Sequence, residues 1–284
     1  MKIAVIGLGL IGGSLCKSIK KNTSYTVMGF DINPKSVKKA LEQEAIDIEM
    51  ELDDLEKADI TIVALYPEQT VDFIKNNPDK FKKGSIVTDT CGIKEYIVES
   101  VTDILAEKSV TFIGAHPMAG REFSGFDYSV DNLFEKASFI ITPTKKTPMK
   151  KLEQLEDFAL AAGFFKVVLS SPQEHDKVIA FTSQLAHIVS NAYVKSPSLK
   201  NESGFSAGSF LDLTRVARLN EEMWSDLFLL NKKPLEEEIE TIIKHLEEYN
   251  KALKENNKEE LKKLLRIGRQ LKEQSMDYYN SLNS

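Results

Sequence analysis

Short, continuous runs of apolar residues alternate with helical periods as far as about Ser171. "KIAVIGLG" predicts a strand entering a glycine loop, and "IGGSLCKSIKK" a helix leaving it. Strands are predicted again at "YTVMGFD", "DITIVALYP", "GSIVTDT" and "VTFIGAH", with the helices "NPKSVKKALEQ", "PEQTVDFIKNN" and "KEYIVESVTDILAE" between them. "ASFIITPT" and "FKVVLSS" add two strands around the helix "MKKLEQLEDFALAAG". Strands that are apolar along their whole length, rather than at alternate positions, are covered on both faces. The pattern therefore predicts a Rossmann-type α/β domain with a mostly parallel sheet over residues 1–171.

Beyond Ser171 the strand pattern stops, and an all-α domain is predicted over residues 172–284. "PQEHDKVIAFTSQLAHIVSNAYVK" has helical period, "SPSLKNESGFSAGS" reads as a loop, and "FLDLTRVARLN" and "EMWSDLFLLN" as shorter helices. Leu235, Ile239, Ile242, Leu246, Tyr249 and Leu253 then recur at spacings of three and four. In the last helix, Asn257 and Glu260 form a capping-box pattern ahead of Leu261, Leu264, Leu265 and Leu271. These stripes predict either an αα-hairpin or a homodimer interface.

Composition narrows the classes. A length of 284 residues, 42% hydrophobic and 28% charged, suits two soluble domains with cores of their own. A net charge of −6 is the wrong sign for a nucleic-acid partner. Two cysteines, Cys16 and Cys91, make neither a disulfide framework nor metal-ligand spacing, so no metal is expected and a reducing compartment fits. "MKIAVIGLGLIGGSL" has the outline of a secretory signal, but glycines interrupt it and it runs on into "CKSIKK" without a cleavage site. No apolar run is long enough for a bilayer, so no membrane partner and a cytoplasmic location are expected.

Gly7, Gly9 and Gly12 have G-x-G-x-x-G spacing between a strand and a helix, which is the context a dinucleotide site requires. They predict a tight turn, a close approach to pyrophosphate and close helix–strand packing, with Leu10 and Ile11 offering N–H groups at the helix start. Asp31, at the end of the second strand, is placed to bond a ribose 2′-hydroxyl, which favours NAD over NADP; the bland reading is a helix cap. Leu65, Tyr66 and Pro67 after one strand and Thr90 after another complete the expected cofactor edge. In "GAHPMAGREFSG", His116 stands at the predicted C-terminal end of a parallel strand, where ligands of such sheets bind. An imidazole there can accept a proton from a substrate hydroxyl; it could instead only cap the strand.

"HPMAGREFSG" resembles the signature of prephenate dehydrogenases, the oxidoreductases of tyrosine biosynthesis, and "GLGLIGGSL", "VTDTCGIK", "FTSQLAH", "GSFLDLTRVA" and "MWSDLF" follow the same family in order. The resemblance implies NAD-dependent oxidative decarboxylation of prephenate to 4-hydroxyphenylpyruvate, with His116 bonded to the ring C4 hydroxyl. It implies that Arg215 binds a substrate carboxylate, where residue spacing alone suggests a salt bridge with Asp212. His187 faces the substrate by the same resemblance, Glu122 gates the mouth, and Trp224 approaches the site at a dimer interface. Gly92 takes the place of a serine that orients the histidine in some members, so another group, such as Thr90, a backbone group or water, must do so here. His175 and His245 carry no such assignment. Tyrosine, sharing ring and side chain with the substrate, is expected to compete for the site. The end of the chain at Ser284 predicts neither of the ACT and chorismate mutase domains that some relatives append. The alternatives are an arogenate or dual-specificity cyclohexadienyl dehydrogenase, a β-hydroxyacid dehydrogenase or imine reductase, and a non-catalytic NAD-sensing module.

Overall fold

The computed structural model describes residues 1–121 and 123–282. Six strands and four helices build the first sheet: β1 (Lys2–Ile6), α1 (Leu10–Asn22), β2 (Thr26–Phe30), α2 (Pro34–Glu42), β3 (Ile48–Glu49), β4 (Ile60–Val63), α3 (Pro67–Asn76), β5 (Ile86–Asp89), α4 (Glu95–Glu107) and β6 (Thr111–Phe112). All its pairings are parallel, in the order β3-β2-β1-β4-β5-β6, and Ile6 is level with Phe30 on one side and Val63 on the other. This order is that of a Rossmann sheet, with its crevice beyond the ends of β1 and β4. Both faces are buried, as the continuous apolar strands require: Ile3 and Val5 join Leu15, Ile19 and Phe158, while Ala4 and Ile6 join Val63, Ile97 and Leu105.

The run "VTFIGAH" does not form one strand. It breaks at Ile113, and β7 (Gly114–Pro117) leaves the parallel sheet. It pairs antiparallel with β8 (Ser138–Thr142), which in turn pairs parallel with β9 (Lys166–Leu169) across α5 (Met149–Ala161). The two sheets share a core, since Ala115, Phe139 and Ile141 belong to the same buried cluster as Ile3 and Val5.

The long helical run after Ser171 is also subdivided: α6 (Pro172–Ile179), a π-helical segment (Ala180–Leu185) and α7 (Ala186–Tyr193). Ser171 caps α6 by accepting the N–H of Glu174, and Pro172 opens the first turn. A short 3₁₀ turn (Pro197–Asn201), where a loop is predicted, precedes α8 (Gly208–Thr214) and α9 (Glu221–Leu230).

Residues Met1–Lys232 form one compact unit and Lys233–Ser284 a second. The second holds nearly all of α10 (Lys232–Lys254) and α11 (Lys258–Leu282). Asn257 caps α11 by accepting the Glu260 N–H at 3.0 Å, while the Glu260 carboxylate bonds Lys263. Leu246, Leu253, Leu265 and Leu271 of the apolar stripes are exposed. Among the described residues no helix is long and apolar enough to cross a membrane.

Candidate active site

The glycine loop between β1 and α1 is shaped by steric exclusion. Gly7 has φ +89°, and a Cβ there would lie 2.5 Å from the Ala64 carbonyl oxygen. A Cβ on Gly12 would stand 1.9 Å from the Gly7 carbonyl oxygen. Gly9 differs: a Cβ on it would meet no protein atom within 4 Å. That open position is the N-cap of α1, which has no side-chain cap and no acid in its first turn. The N–H groups of Leu10 and Ile11 are thus placed to face an anion. Asp31 braces the loop, its Oδ2 accepting the Leu8 N–H at 2.7 Å and its Oδ1 the Asn33 N–H at 2.8 Å. Each oxygen keeps a second lone pair for a ligand hydroxyl. The Leu65 side chain reaches the same turn, 2.9 Å from the Gly7 Cβ position. Half-exposed Tyr66 caps α3 with Pro67 in its first turn, and Thr90 follows β5 on the same edge of the sheet. The set fits a dinucleotide.

His116 is not at the end of a parallel strand, as the apolar run suggested. It lies on β7 opposite Ile140 of β8, because the chain changes sheets at Ile113. The ring is half-buried, and its Nδ1 is 3.0 Å from Nε2 of His175 on α6. The Nδ1 of His175 is 2.7 Å from Asp176 Oδ1. Asp176 is itself held by α4, its Oδ1 accepting the Lys94 N–H at 2.7 Å and its Oδ2 the Glu95 N–H at 2.8 Å. On the other side of the ring, a Cβ at Gly92 would sit 3.9 Å from both Nε2 and Cε1 of His116. The glycine leaves that nitrogen room for a ligand.

A fully buried ion pair underlies the loop. The Lys94 ammonium bonds Asp89, whose carboxylate also accepts the N–H of Cys91 at 2.9 Å and of Ala115 at 3.1 Å. The pair thus ties β5, the loop after it and β7 together. Burial pushes the His116 pKa well below its ordinary 6.5, with the His175 and Lys94 charges adding to the effect. Burial lowers the pKa of His175 as well, against the opposing bond from Asp176. Both imidazoles are neutral near pH 7. Burial pushes the Cys91 thiol up to about 12, so it is not a nucleophile there.

A second group of predicted site residues lies on α7, α8 and α9. His187 stacks on Trp224 with ring centroids 4.1 Å apart, and its Nδ1 is 2.8 Å from the Ser183 carbonyl oxygen. Its pKa is lowered by burial, with a further contribution from the Arg215 charge. Arg215 follows the last residue of α8 and is exposed. Leu227, one turn from Trp224 on α9, has its Cδ2 3.9 Å from the Gly92 Cβ position, and its carbonyl accepts the Gln184 side chain at 3.1 Å. These contacts bring α9 over the loop beside His116. Glu122 lies outside the described residues.

The structure thus gathers His116, Gly92 and the His187–Trp224–Arg215 group beyond the nucleotide edge. It adds three residues that the sequence did not mark: His175, Asp176 and Lys94. The one available signal for the first two was an imidazole–acid dipeptide near the start of a proline-opened helix, in a chain lacking the serine expected to orient His116.

Residues 15–168 match the family model described as prephenate dehydrogenase, nucleotide-binding domain, and residues 171–267 match prephenate dehydrogenase, dimerization domain. The chain belongs to the prephenate dehydrogenase family. A prephenate dehydrogenase of Bacillus subtilis is 31% identical over 91% of this chain and 72% of its own length. The crystal structure of prephenate dehydrogenase from Aquifex aeolicus, in complex with hydroxyphenyl propionate and NAD+, superposes with a TM-score of 0.85 at 30% identity, covering 98% of both chains. Synechocystis arogenate dehydrogenase gives 0.84 at 26% identity, covering 97% of this chain and 100% of its own. In this prephenate dehydrogenase family member, His116, Gly92 and Lys94 fall in the nucleotide-binding match. His175, Asp176, His187, Arg215 and Trp224 fall in the dimerization match, so the site is assembled from both.

Proposed function

We propose that this dehydrogenase oxidises prephenate to 4-hydroxyphenylpyruvate and carbon dioxide. NAD, bound along the Gly7–Gly12 loop with Asp31 at its ribose, supplies the hydride acceptor. The observation that carries the reading is a half-buried His116, neutral by virtue of its surroundings, with Nε2 facing the room left by Gly92. That nitrogen takes the proton of the C4 hydroxyl as hydride leaves C4, and the O–H bond is replaced by N–H. The bond from the ring to its carboxylate then breaks, and its electron pair completes the aromatic ring. His116 returns the proton to the ring oxygen, so the reaction balances without net proton release. Arg215 binds a substrate carboxylate with its planar fork, and His187 with Trp224 forms the wall around the side chain.

The division near residue 171 separates the nucleotide half from a helical half that forms a homodimer through the exposed stripes of α10 and α11. Tyrosine competes with prephenate, because it shares the ring and side-chain shape. Arogenate is the second reading for the substrate, favoured by the similarity to the Synechocystis arogenate dehydrogenase.

The test is NADH formation by the purified chain, with prephenate and arogenate each offered beside NAD and NADP. Turnover of prephenate with NAD is expected. Turnover of arogenate alone would reassign the substrate, and NAD binding without turnover of either would indicate a sensor. His116→Asn should lower kcat by about 100-fold or more with NAD affinity retained.

A further inference from the structure

We infer that His175, held by Asp176, is a positioning residue that fixes the tautomer of His116, leaving Nε2 as a bare acceptor for the substrate hydroxyl. The inference rests on the reading of His116 as proton acceptor and supplies the orienting group that Gly92 cannot.

Asp176 can only accept, and its two oxygens already take the Lys94 and Glu95 N–H groups at the start of α4, which fixes its plane. Its backbone carbonyl accepts Asn231 Nδ2 at 2.9 Å, and the same amide donates to Gln184 Oε1 at 2.7 Å. Asp176 is therefore tied to α4, to the π-helical segment and to the end of α9. At 2.7 Å from this fixed acceptor, His175 Nδ1 must carry the proton. A neutral His175 then presents a bare Nε2, which lies 3.0 Å from His116 Nδ1. Two bare nitrogens would repel, so His116 carries its proton on Nδ1. What remains is an Nε2 lone pair on the side facing Gly92.

Burial gives the arrangement a second consequence. His175 and Asp176 are each only 2% exposed, so the chain of bonds ends inside the protein and offers no route to solvent. A proton taken at Nε2 is held on His116, with the imidazolium charge stabilised through Nδ1–H by His175 and behind it by the carboxylate. A group that lends a proton and takes it back needs such a closed end. The Nδ1 side of the imidazolium is closed in this way, and its transferable proton stays on Nε2, which faces the ring oxygen.

Asp176→Asn is the sharpest test, because an amide oxygen in the Oδ2 position still accepts the Glu95 N–H and puts the NH₂ group in the Oδ1 position that faces His175. Its NH₂ group, turned toward His175, forces the proton of that ring onto Nε2, and His116 is then driven to the Nε2–H form. kcat for prephenate should fall by roughly 100-fold or more, as expected for a base in the wrong tautomer, with KM and NAD affinity held within about twofold. His175→Phe should behave alike. His175→Gln, whose amide oxygen can reach His116 Nδ1, should recover part of the rate. Ring ¹⁵N spectra of the full-length wild type should show His116 protonated at Nδ1, and both disabling variants should show it at Nε2. This readout needs no substrate, so it separates failure of the relay from failure of the prephenate reading. An Nε2–H tautomer in the wild type would overturn the inference, as would an unchanged tautomer and kcat in a folded Asp176→Asn protein.

Discussion

Lys94→Met tests what holds the histidine loop in place. The lysine is fully buried, its ammonium bonds Asp89, and its stem lies over Gly114, where Cδ comes within 3.4 Å of the Cβ position. Methionine keeps most of that stem, so little cavity opens, and the loss is chiefly that of the cation. Removing one member of a buried pair costs about 3–5 kcal/mol, because the other charge stays desolvated. Asp89 retains the N–H groups of Cys91 and Ala115. These place the expected loss near the low end, about 3 kcal/mol. With a urea m-value of about 3 kcal/mol/M, the unfolding midpoint falls by about 1 M. Fluorescence of Trp224, the only tryptophan, follows the transition at fixed protein concentration. A midpoint shift below about 0.3 M would mean that two backbone donors suffice for Asp89 and that the ion pair is dispensable. The variant carries a second signature. The Lys94 charge helps to depress the pKa of both His116 and His175, so its removal should move the acid limb of kcat/KM to higher pH. A limb that stays put or moves down would refute the electrostatic part.

Two further predictions follow from burial and from sterics. Burial lowers the pKa values of His116, His175 and His187 below 6.5, so between those folded values and 6.5 the unfolded chain binds more protons. Stability is therefore complete above about pH 6.5 and drains as the pH falls toward the folded values. A Tm that holds steady on acidification through that window would contradict neutral, buried imidazoles. In the glycine loop, Gly12→Ala drives a methyl to 1.9 Å from a carbonyl oxygen and should disrupt the fold of the loop, whereas Gly9→Ala meets no protein atom. Gly9→Ala should keep stability within about 1 kcal/mol yet weaken NAD binding, which thermal melts and NAD titration separate. Equal destabilisation by both would remove the case for Gly9 as the phosphate approach.

The glycine loop was legible because its requirement is local. Whether a Cβ fits at Gly7 or Gly12 is decided by a turn and the strand beside it, and the spacing of three glycines records that directly. The alternation of continuous apolar strands with helices likewise predicts the mostly parallel sheet, since strands covered on both faces need helices on either side. Pairing is a different matter. "VTFIGAH" is largely apolar, and nothing in its polarity marks the change of sheet at Ile113, because both halves are buried, Val110 and Phe112 in one cluster and Ile113 and Ala115 in the other. The cost of that silence falls on the site itself. On β7, anchored to Asp89 through the Ala115 N–H, its Nδ1 meets α6, an element lying 59 residues further along the chain. His175 carried no assignment in the sequence, and Asp176 and Lys94 were not marked at all, because helical periodicity ranks positions by hydrophobicity. It cannot see a polar group that is buried because every donor and acceptor around it is matched. The change of sheet and the three unmarked residues thus have one origin: the strand break turns the histidine toward a polar cluster that only tertiary contacts assemble.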